Sequence, residues 1–262
     1  MKHSNGFTLI ELLVVLAVIA LLMSILMPAL RTVKEKARSI VCRSNLKQWG
    51  IAYNIYVATN DNKWPTTNWE TDNESWMEML RKSYGDVSEL LFCPSANKVP
   101  SDTDPYDTGT WTFGEKNKAW KMINGLSSKP IEIGSYGENP YVRIQLLSET
   151  YGGAANLYWR GDGGASASNI PVVMDSRWFN MLPIWSAADP LRSDGQPADM
   201  AWFDVGIAVM RRHGKGINAL FLDASVDGVD AEDMWSLRWN TEWKSLGEID
   251  GLAKMILELD ER

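Results

Sequence analysis

The chain has 262 residues, of which 45% are hydrophobic and 23% charged. That is an ordinary globular composition, enough for one large or two small cores at roughly 150 residues per domain. Two cysteines and two histidines exclude a four-cysteine zinc site, and no CxxC spacing is present for a finger with two of each. His3 sits in the N-terminal tail, so His213 is the single histidine of the body. A metal site built on two or three body histidines is therefore excluded within one chain. A Ser–His–Asp scheme would have to run through His213, and no nucleophile-bearing motif accompanies it, so the chain reads as a non-enzyme. The net charge of −7 is uneven: residues 1–47 hold seven Lys or Arg against Glu11 and Glu35, and the remainder holds nineteen against thirty-one. The body lacks the basic balance of a nucleic-acid binder. Thirteen tryptophans are the compositional oddity.

Residues 7–30 read FTLIELLVVLAVIALLMSILMPAL. From Leu12 to Leu30 there are nineteen uncharged residues, interrupted by Ser24 and Pro28. As a helix they span about 28 Å, close to one bilayer core. A cleaved secretory signal has a shorter apolar core and an A-x-A-like cleavage site, and MPALRTV supplies no such site. A plain signal anchor leaves Glu11 unexplained, because a carboxylate inside an apolar span costs on the order of 3 kcal/mol on insertion scales. Gly6 before Phe7 makes a small, cuttable junction.

The run Gly6-Phe7-Thr8-Leu9-Ile10-Glu11-Leu12-Leu13-Val14-Val15, behind a short basic leader, resembles the class III signal of type IV pilins and type II secretion pseudopilins. The resemblance implies cleavage after Gly6 by a prepilin peptidase, methylation of Phe7, and a helix-kinking role for Pro28. It also implies a cationic partner for Glu11: the new amine of Phe7, on its own chain or on a neighbour's, where it would set the register between subunits. The positive-inside rule points the other way. Lys2 and the α-amine precede the span, whereas Arg31, Lys34, Lys36, Arg38, Arg43 and Lys47 follow it. The leader motif is the more specific signal, so the body is expected outside the bacterial inner membrane, in the periplasm or beyond. The basic stem is then available to face acidic bodies of neighbouring subunits.

Residues 31–56 carry apolar side chains at 33, 37, 40, 41, 46, 49, 52, 53 and 56, a loose amphipathic stripe. One long helix from about Phe7 to about Thr59 is expected, with Gly50 a mild defect and Asn60-Asp61-Asn62 before Pro65 a stop. The domain organisation is thus a leader over 1–6, a transmembrane assembly helix over 7–30, a stem over 31–60 and a head over 61–262. An even cysteine count in an exported domain suggests a Cys42–Cys93 disulfide, worth roughly 4 kcal/mol in the chain-entropy view, with two buried free thiols as the alternative. Arg43-Ser44-Asn45-Leu46-Lys47-Gln48 and Phe92-Cys93-Pro94 are similar to elements of the large pseudopilin-like proteins of planctomycete-type bacteria.

In the head, Ser75–Tyr84 reads as a short helix contacting through Met77, Met79, Leu80 and Tyr84. Residues 95–130 read as irregular loop, Ser135–Pro140 as a turn or strand end, and 152–169 as a glycine-rich surface loop lacking a phosphate-binding pattern. Ile170–Asp175 and Ile217–Asp223 read as buried strands, with Ser225–Val229 an antiparallel partner beyond a tight turn at Asp223-Ala224-Ser225. Residues 176–205 form a Trp-, Pro- and Asp-rich insertion. Asp230–Thr241 and Leu246–Leu259 read as helices; if the former runs on, Trp235, Trp239 and Trp243 fall on one face as core. The fold class expected is α+β: a long N-terminal helix packed on a small antiparallel sheet, with C-terminal helices.

His213-Gly214 with Asp223 resembles the H-X9-DG element of prepilin-type processing-associated proteins, with Ala224 in place of the glycine. A structural hydrogen bond between His213 and Asp223 closing the hairpin is expected over an acid–base pair. No cofactor is expected; Asp223, Asp227 and Asp230 offer oxygen donors for calcium as the alternative, without EF-hand spacing and in a chain where nearby acids are common. The leading functional reading is a pseudopilin-like subunit of a type II secretion or type IV pilus-like filament. Its partners are prepilin peptidase, other subunits, the inner membrane and an assembly platform. The competing reading is a membrane-anchored module binding glycan or an exported substrate through Trp64, Trp69, Trp178, Trp185 and Trp202.

Overall fold

The computed structural model describes residues 8–65, 75–85, 88–99, 111–122, 132–142, 159, 164–181, 211–231, 233–239 and 241. The chain divides into two compact units, Met1–Ala37 and Arg38–Arg262. Helix α1 (Leu9–Thr59) begins in the first and continues in the second.

In the first unit every described residue is exposed. The helix passes through Pro28 without ending. Thr32 Oγ1 donates to the Pro28 carbonyl at 3.2 Å, and Ser24 Oγ donates to Leu21 O at 2.7 Å, so these two hydroxyls bond to their own helix. An 18-residue window reaches a mean hydropathy of 3.0, and the helix is long and apolar enough to cross a membrane. A helix this apolar on all sides has a bilayer or other apolar helices as its natural surroundings.

In the second unit α1 buries Cys42, Asn45, Leu46, Trp49, Gly50, Ala52 and Tyr53. This is the face spaced at three and four residues. It includes the expected 46, 49, 52 and 53, but Ile40 and Val41 are 69% and 48% exposed, so the stripe turns onto Cys42 and Asn45 instead. Gly50 is a contact point: a Cβ there would lie 3.0 Å from Leu220 Cδ1, so the missing side chain lets the helix approach the sheet. The positively turned Asp61 and Asn62 mark the end of the helix, as their sequence suggests.

Helix α2 (Trp76–Tyr84) is capped at both ends: the Ser75 side chain accepts from Glu78 N, and Gly85 takes φ 74° and donates its N–H to Arg81 O. It buries Trp76, Met77 and Leu80. A 3-10 helix at Ser88–Leu91 follows. Within the stretch expected to be loop, β1 (Trp111–Thr112) and β2 (Trp120–Met122) pair with β3 (Glu132–Gly134) in an antiparallel three-stranded sheet. Strands of two or three residues carry too little alternation to be seen in sequence.

The main sheet is antiparallel in the order β4 (Tyr136–Glu138), β5 (Pro171–Asp175), β6 (Gly216–Phe221) and β7 (Val226–Asp230). Ser135–Pro140 is therefore chiefly a strand. β5 and β6, the two central strands, are buried along their whole length, which is why both read as continuous apolar runs. Pro171 stands at the first position of β5, where proline is tolerated, and the register shifts between it and Val173. Ala224 holds φ 63° in the β6–β7 turn, so alanine adopts the left-handed conformation directly.

One expected helix is absent. After β7 ends at Asp230, the described residues hold only a 3-10 turn at Asp233–Ser236. Backbone groups there bond to neighbours instead of forming a helical ladder: Arg238 N donates to Asn169 O, and Trp239 O accepts from Asn139 Nδ2 at 2.9 Å. Trp239 is fully buried. Trp243 and Leu246–Leu259 lie outside the described residues, as do most of 152–169 and of the insertion 176–205.

The tryptophans build the core. Trp49, Trp76, Trp120, Trp159, Trp178 and Trp239 are buried. Five of their indole N–H groups donate to backbone carbonyls, at Leu90, Phe179, Tyr136, Trp239 and Met234. A buried indole needs such an acceptor, and with one it fills a large volume without a polar penalty. Trp49 meets Trp76 and Tyr84 edge-on at 4.8 and 4.7 Å.

Candidate functional site

Two places carry chemistry. The first is the start of α1. Thr8 precedes the first helical residue, and Glu11 is the third within the helix. Thr8 N and Oγ1 donate to Glu11 Oε2 at 2.9 and 2.7 Å, and Glu11 N donates to Thr8 Oγ1 at 3.3 Å. This reciprocal arrangement is a capping box, and Thr8-x-x-Glu11 ahead of an apolar run is its sequence signature. Glu11 therefore terminates its own helix while remaining exposed and open to a further partner. Gly6 and Phe7 lie outside the described residues.

The second place is a buried polar cluster in the head. Cys42 comes from α1, Cys93 from the segment after the Ser88–Leu91 turn, Asp175 from the end of β5, and His213 from the approach to β6. Their sulfur, oxygen and nitrogen atoms all lie within 4.8 Å of one another. Cys93 Sγ and His213 Nε2 are 3.2 Å apart, and His213 Nε2 and Asp175 Oδ2 also 3.2 Å. Cys42 Sγ stands 3.5 Å from Asp175 Oδ2. Both cysteines are free thiols and fully buried, so the pair expected to be bridged is brought together with its sulfurs unbonded.

Asp175 is the hub. Arg212 Nη1 donates to its Oδ1 at 3.0 Å, and Asn218 N donates to its Oδ2 at 3.0 Å. Arg212 is itself buried, with further donations to the carbonyls of Ser135, Glu115, Lys116 and Ser176. Tyr136 Oη donates to Cys42 Sγ at 3.5 Å, and Cys93 N to Ser135 Oγ. Burial opposes the charge on Asp175, but Arg212 and His213 outweigh it and hold the carboxyl well below the usual carboxylate range. Burial likewise works against a charged His213, and the bonds to Asp175 and Cys93 overcome it, raising the ring to about 9. The two thiols separate. Burial first, and then Cys93 and the Asp175 charge, push Cys42 far up. Cys93 is brought down to about 7 because Cys42, His213 and Arg212 outweigh its burial.

The partner of His213 is thus Asp175 and not Asp223. Asp223 turns back on its own loop, accepting from Ser225 N at 2.9 Å and Ser225 Oγ at 2.6 Å. It folds the hairpin turn by itself, which is why a histidine ten residues away is not needed there. The candidate calcium donors Asp223, Asp227 and Asp230 are not among the described residues whose ligand atoms gather at one point. Asp227 pairs with Arg43 at 3.2 Å, and all three carboxylates are exposed on the β6–β7 hairpin. Part of the basic stem is accordingly engaged within the chain: Arg43 Nε also donates to Asn218 Oδ1, and Lys47 Nζ donates to Ala224 O at 2.7 Å. Among the tryptophans proposed as a binding platform, Trp178 is buried and Trp64 packs on Tyr53 at 5.5 Å. Trp69, Trp185 and Trp202 lie outside the described residues.

Sequence reasoning missed Asp175 and Arg212. Ser135, Tyr136 and Asn139 also emerge as polar fixtures of the head. Asn139 Nδ2 donates to Pro171 O and Trp239 O, each at 2.9 Å, tying β4, β5 and the C-terminal segment. The one available signal was that His213 is the single histidine of the body and follows Arg212 directly; nothing local in the sequence singles out Asp175 among its many acids.

Residues 1–27 match the prokaryotic N-terminal methylation motif. No curated protein and no solved structure matches the chain. The motif supports a pilin-like protein, processed by prepilin peptidase and assembled with other pilin subunits, and α1 is long and apolar enough to anchor it in a membrane.

Proposed function

We propose that this chain is a pseudopilin-like structural subunit of a type II secretion or type IV pilus-like filament, and that its work is polymerisation without catalysis. The observation that carries this reading is the methylation motif over residues 1–27 running directly into a helix whose apolar residues from Leu9 to Leu30 are exposed. Such a surface is stored in the inner membrane, and the same surface packs against sister helices when subunits leave it. The head then lies on the periplasmic side and decorates the filament.

Glu11 gives this reading its mechanism. Among the described residues it is held by Thr8. Cleavage after Gly6 places an ammonium at Phe7, and a neighbour's ammonium is a stronger partner for a carboxylate in a low-dielectric bundle than a hydroxyl. The pairing fixes the axial stagger of adjacent subunits. The test is assembly in cells supplied with prepilin peptidase and an assembly platform, scored by recovering sheared filaments. Wild type is expected in the filament fraction and Glu11→Gln in the membrane, cut but unassembled. Glu11→Gln filaments in normal yield would overturn the register role. A wild-type chain that is processed yet never joins a filament would overturn the filament reading. Protease protection of the head in spheroplasts would contradict its periplasmic placement.

A further inference from the structure

We propose that Cys42, Cys93, Asp175 and His213 bind one zinc ion, which clasps the stem to the sheet of the head. The geometry carries the assignment. Zinc–ligand bonds of about 2.0–2.3 Å in a tetrahedron put neighbouring ligand atoms about 3.3–3.8 Å apart. The cluster shows 3.2 Å for Cys93 Sγ to His213 Nε2, 3.2 Å for His213 Nε2 to Asp175 Oδ2, and 3.5 Å for Cys42 Sγ to Asp175 Oδ2. All four donor atoms fall within 4.8 Å of one another. Four groups drawn from four separate stretches of chain are thus collected around one point.

The donor chemistry selects the metal. Two sulfurs, an imidazole and a carboxylate form a mixed set that suits zinc and is wrong for calcium or magnesium, which take oxygen. The four residues supply the four ligands of a tetrahedral site and are buried, with His213 and Asp175 side chains 4% and 0% exposed. A closed four-ligand site is a structural one. Charge also balances: a dication with two thiolates and one carboxylate leaves one negative charge, and the Arg212 guanidinium on Asp175 cancels it. Loading releases the protons still on the two thiols and the second ring proton of His213, because zinc takes thiolates and a neutral imidazole. The surroundings orient the ligands as supporting groups do in metal sites. Asn218 N and Arg212 Nη1 fix the carboxylate, and Tyr136 Oη donates to the Cys42 sulfur.

The consequence is mechanical. Cys42 belongs to α1, while Asp175 and His213 flank the two central strands of the sheet. A metal there ties the stem helix to the sheet. It also keeps two adjacent thiols reduced in a compartment that favours disulfides.

The experiment uses the full-length chain in detergent, purified without a polyhistidine tag or chelator. Metal analysis is expected to give one zinc per chain that survives dialysis and is removed by a strong chelator. Replacement with cobalt(II) is expected to give thiolate-to-metal charge-transfer bands and the intense d–d bands of a tetrahedral site. Cys42→Ser and Asp175→Asn should each lose most of the zinc, whereas Asp223→Asn, in the hairpin turn, should retain it. The cobalt spectrum is read on the wild-type chain and so does not depend on any variant folding. A wild-type chain with neither zinc nor a tetrahedral cobalt spectrum overturns the proposal. So does an intact mass two hydrogens light with Cys42 joined to Cys93. Neither result bears on N-terminal processing.

Discussion

Asp175 and Glu11 are both carboxylates in apolar surroundings, and the protein treats them in opposite ways. Asp175 is fully buried and receives Arg212, His213 and the Asn218 amide within the head. Glu11 is exposed on an apolar helix and has Thr8 as its bonded partner. A carboxylate satisfied from several elements of its own chain is doing its work inside the fold. Glu11, whose bonded partner among the described residues is three positions before it, is exposed to solvent and lies within the methylation motif. The same contrast separates the halves of α1. Up to Ala37 its apolar residues are exposed, whereas from Cys42 to Tyr53 its inner face is buried under aromatic side chains.

This comparison can be broken by substitution. Asp175→Ala should have the largest effect on the head, because it leaves the buried Arg212 guanidinium without its acid. A loss of about 3–5 kcal/mol is expected on removing one partner of a buried pair, read by denaturant unfolding of the full chain in detergent and followed by tryptophan fluorescence. Trp49→Ala should cost about 3–5 kcal/mol in the same assay, since it empties a fully buried site and frees the Leu90 carbonyl. Ala224→Gly should stabilise by up to about 1 kcal/mol: it relieves the left-handed strain of alanine, partly offset by the looser unfolded chain. Glu11→Gln should have the smallest effect on unfolding of the head, within about 0.5 kcal/mol as for an ordinary surface change, while removing the chain from filaments. A Glu11→Gln head that unfolds early would erase the distinction between the two carboxylates.

How much of this was readable without coordinates follows from where the information lies. The leader motif, the long helix and strands β5 and β6 are local: each is a continuous run whose character shows in ten or so residues. The capping box at Thr8 and Glu11 was equally local and readable, yet the acid's resemblance-based role drew attention from it. The cluster around Asp175 is not local. Its four donors are scattered from Cys42 to His213, with no repeated spacing, and only the pairing of β5 with β6 and the docking of α1 bring them together. Counting cysteines and histidines spoke only to zinc sites made of those two residue types. It left open a mixed set in which an aspartate supplies the fourth ligand. The resemblance to an H-X9-DG element pairs His213 with Asp223, ten residues on, whereas the acid that meets it, Asp175, lies at the end of the adjacent strand. The helix expected over Asp230–Thr241 failed for a related reason. Its tryptophan spacing is helical, but Asn139 and Asn169 take up the backbone of Arg238 and Trp239.

The central claim is that the N-terminus is processed for assembly, and the intact mass of the chain extracted from membranes with active prepilin peptidase tests it most directly. The account predicts loss of residues 1–6 and the gain of one methyl group on Phe7. A full-length, unmethylated mass, in cells where a known prepilin is cut, would contradict it and leave Glu11 as a helix cap on a plain membrane anchor.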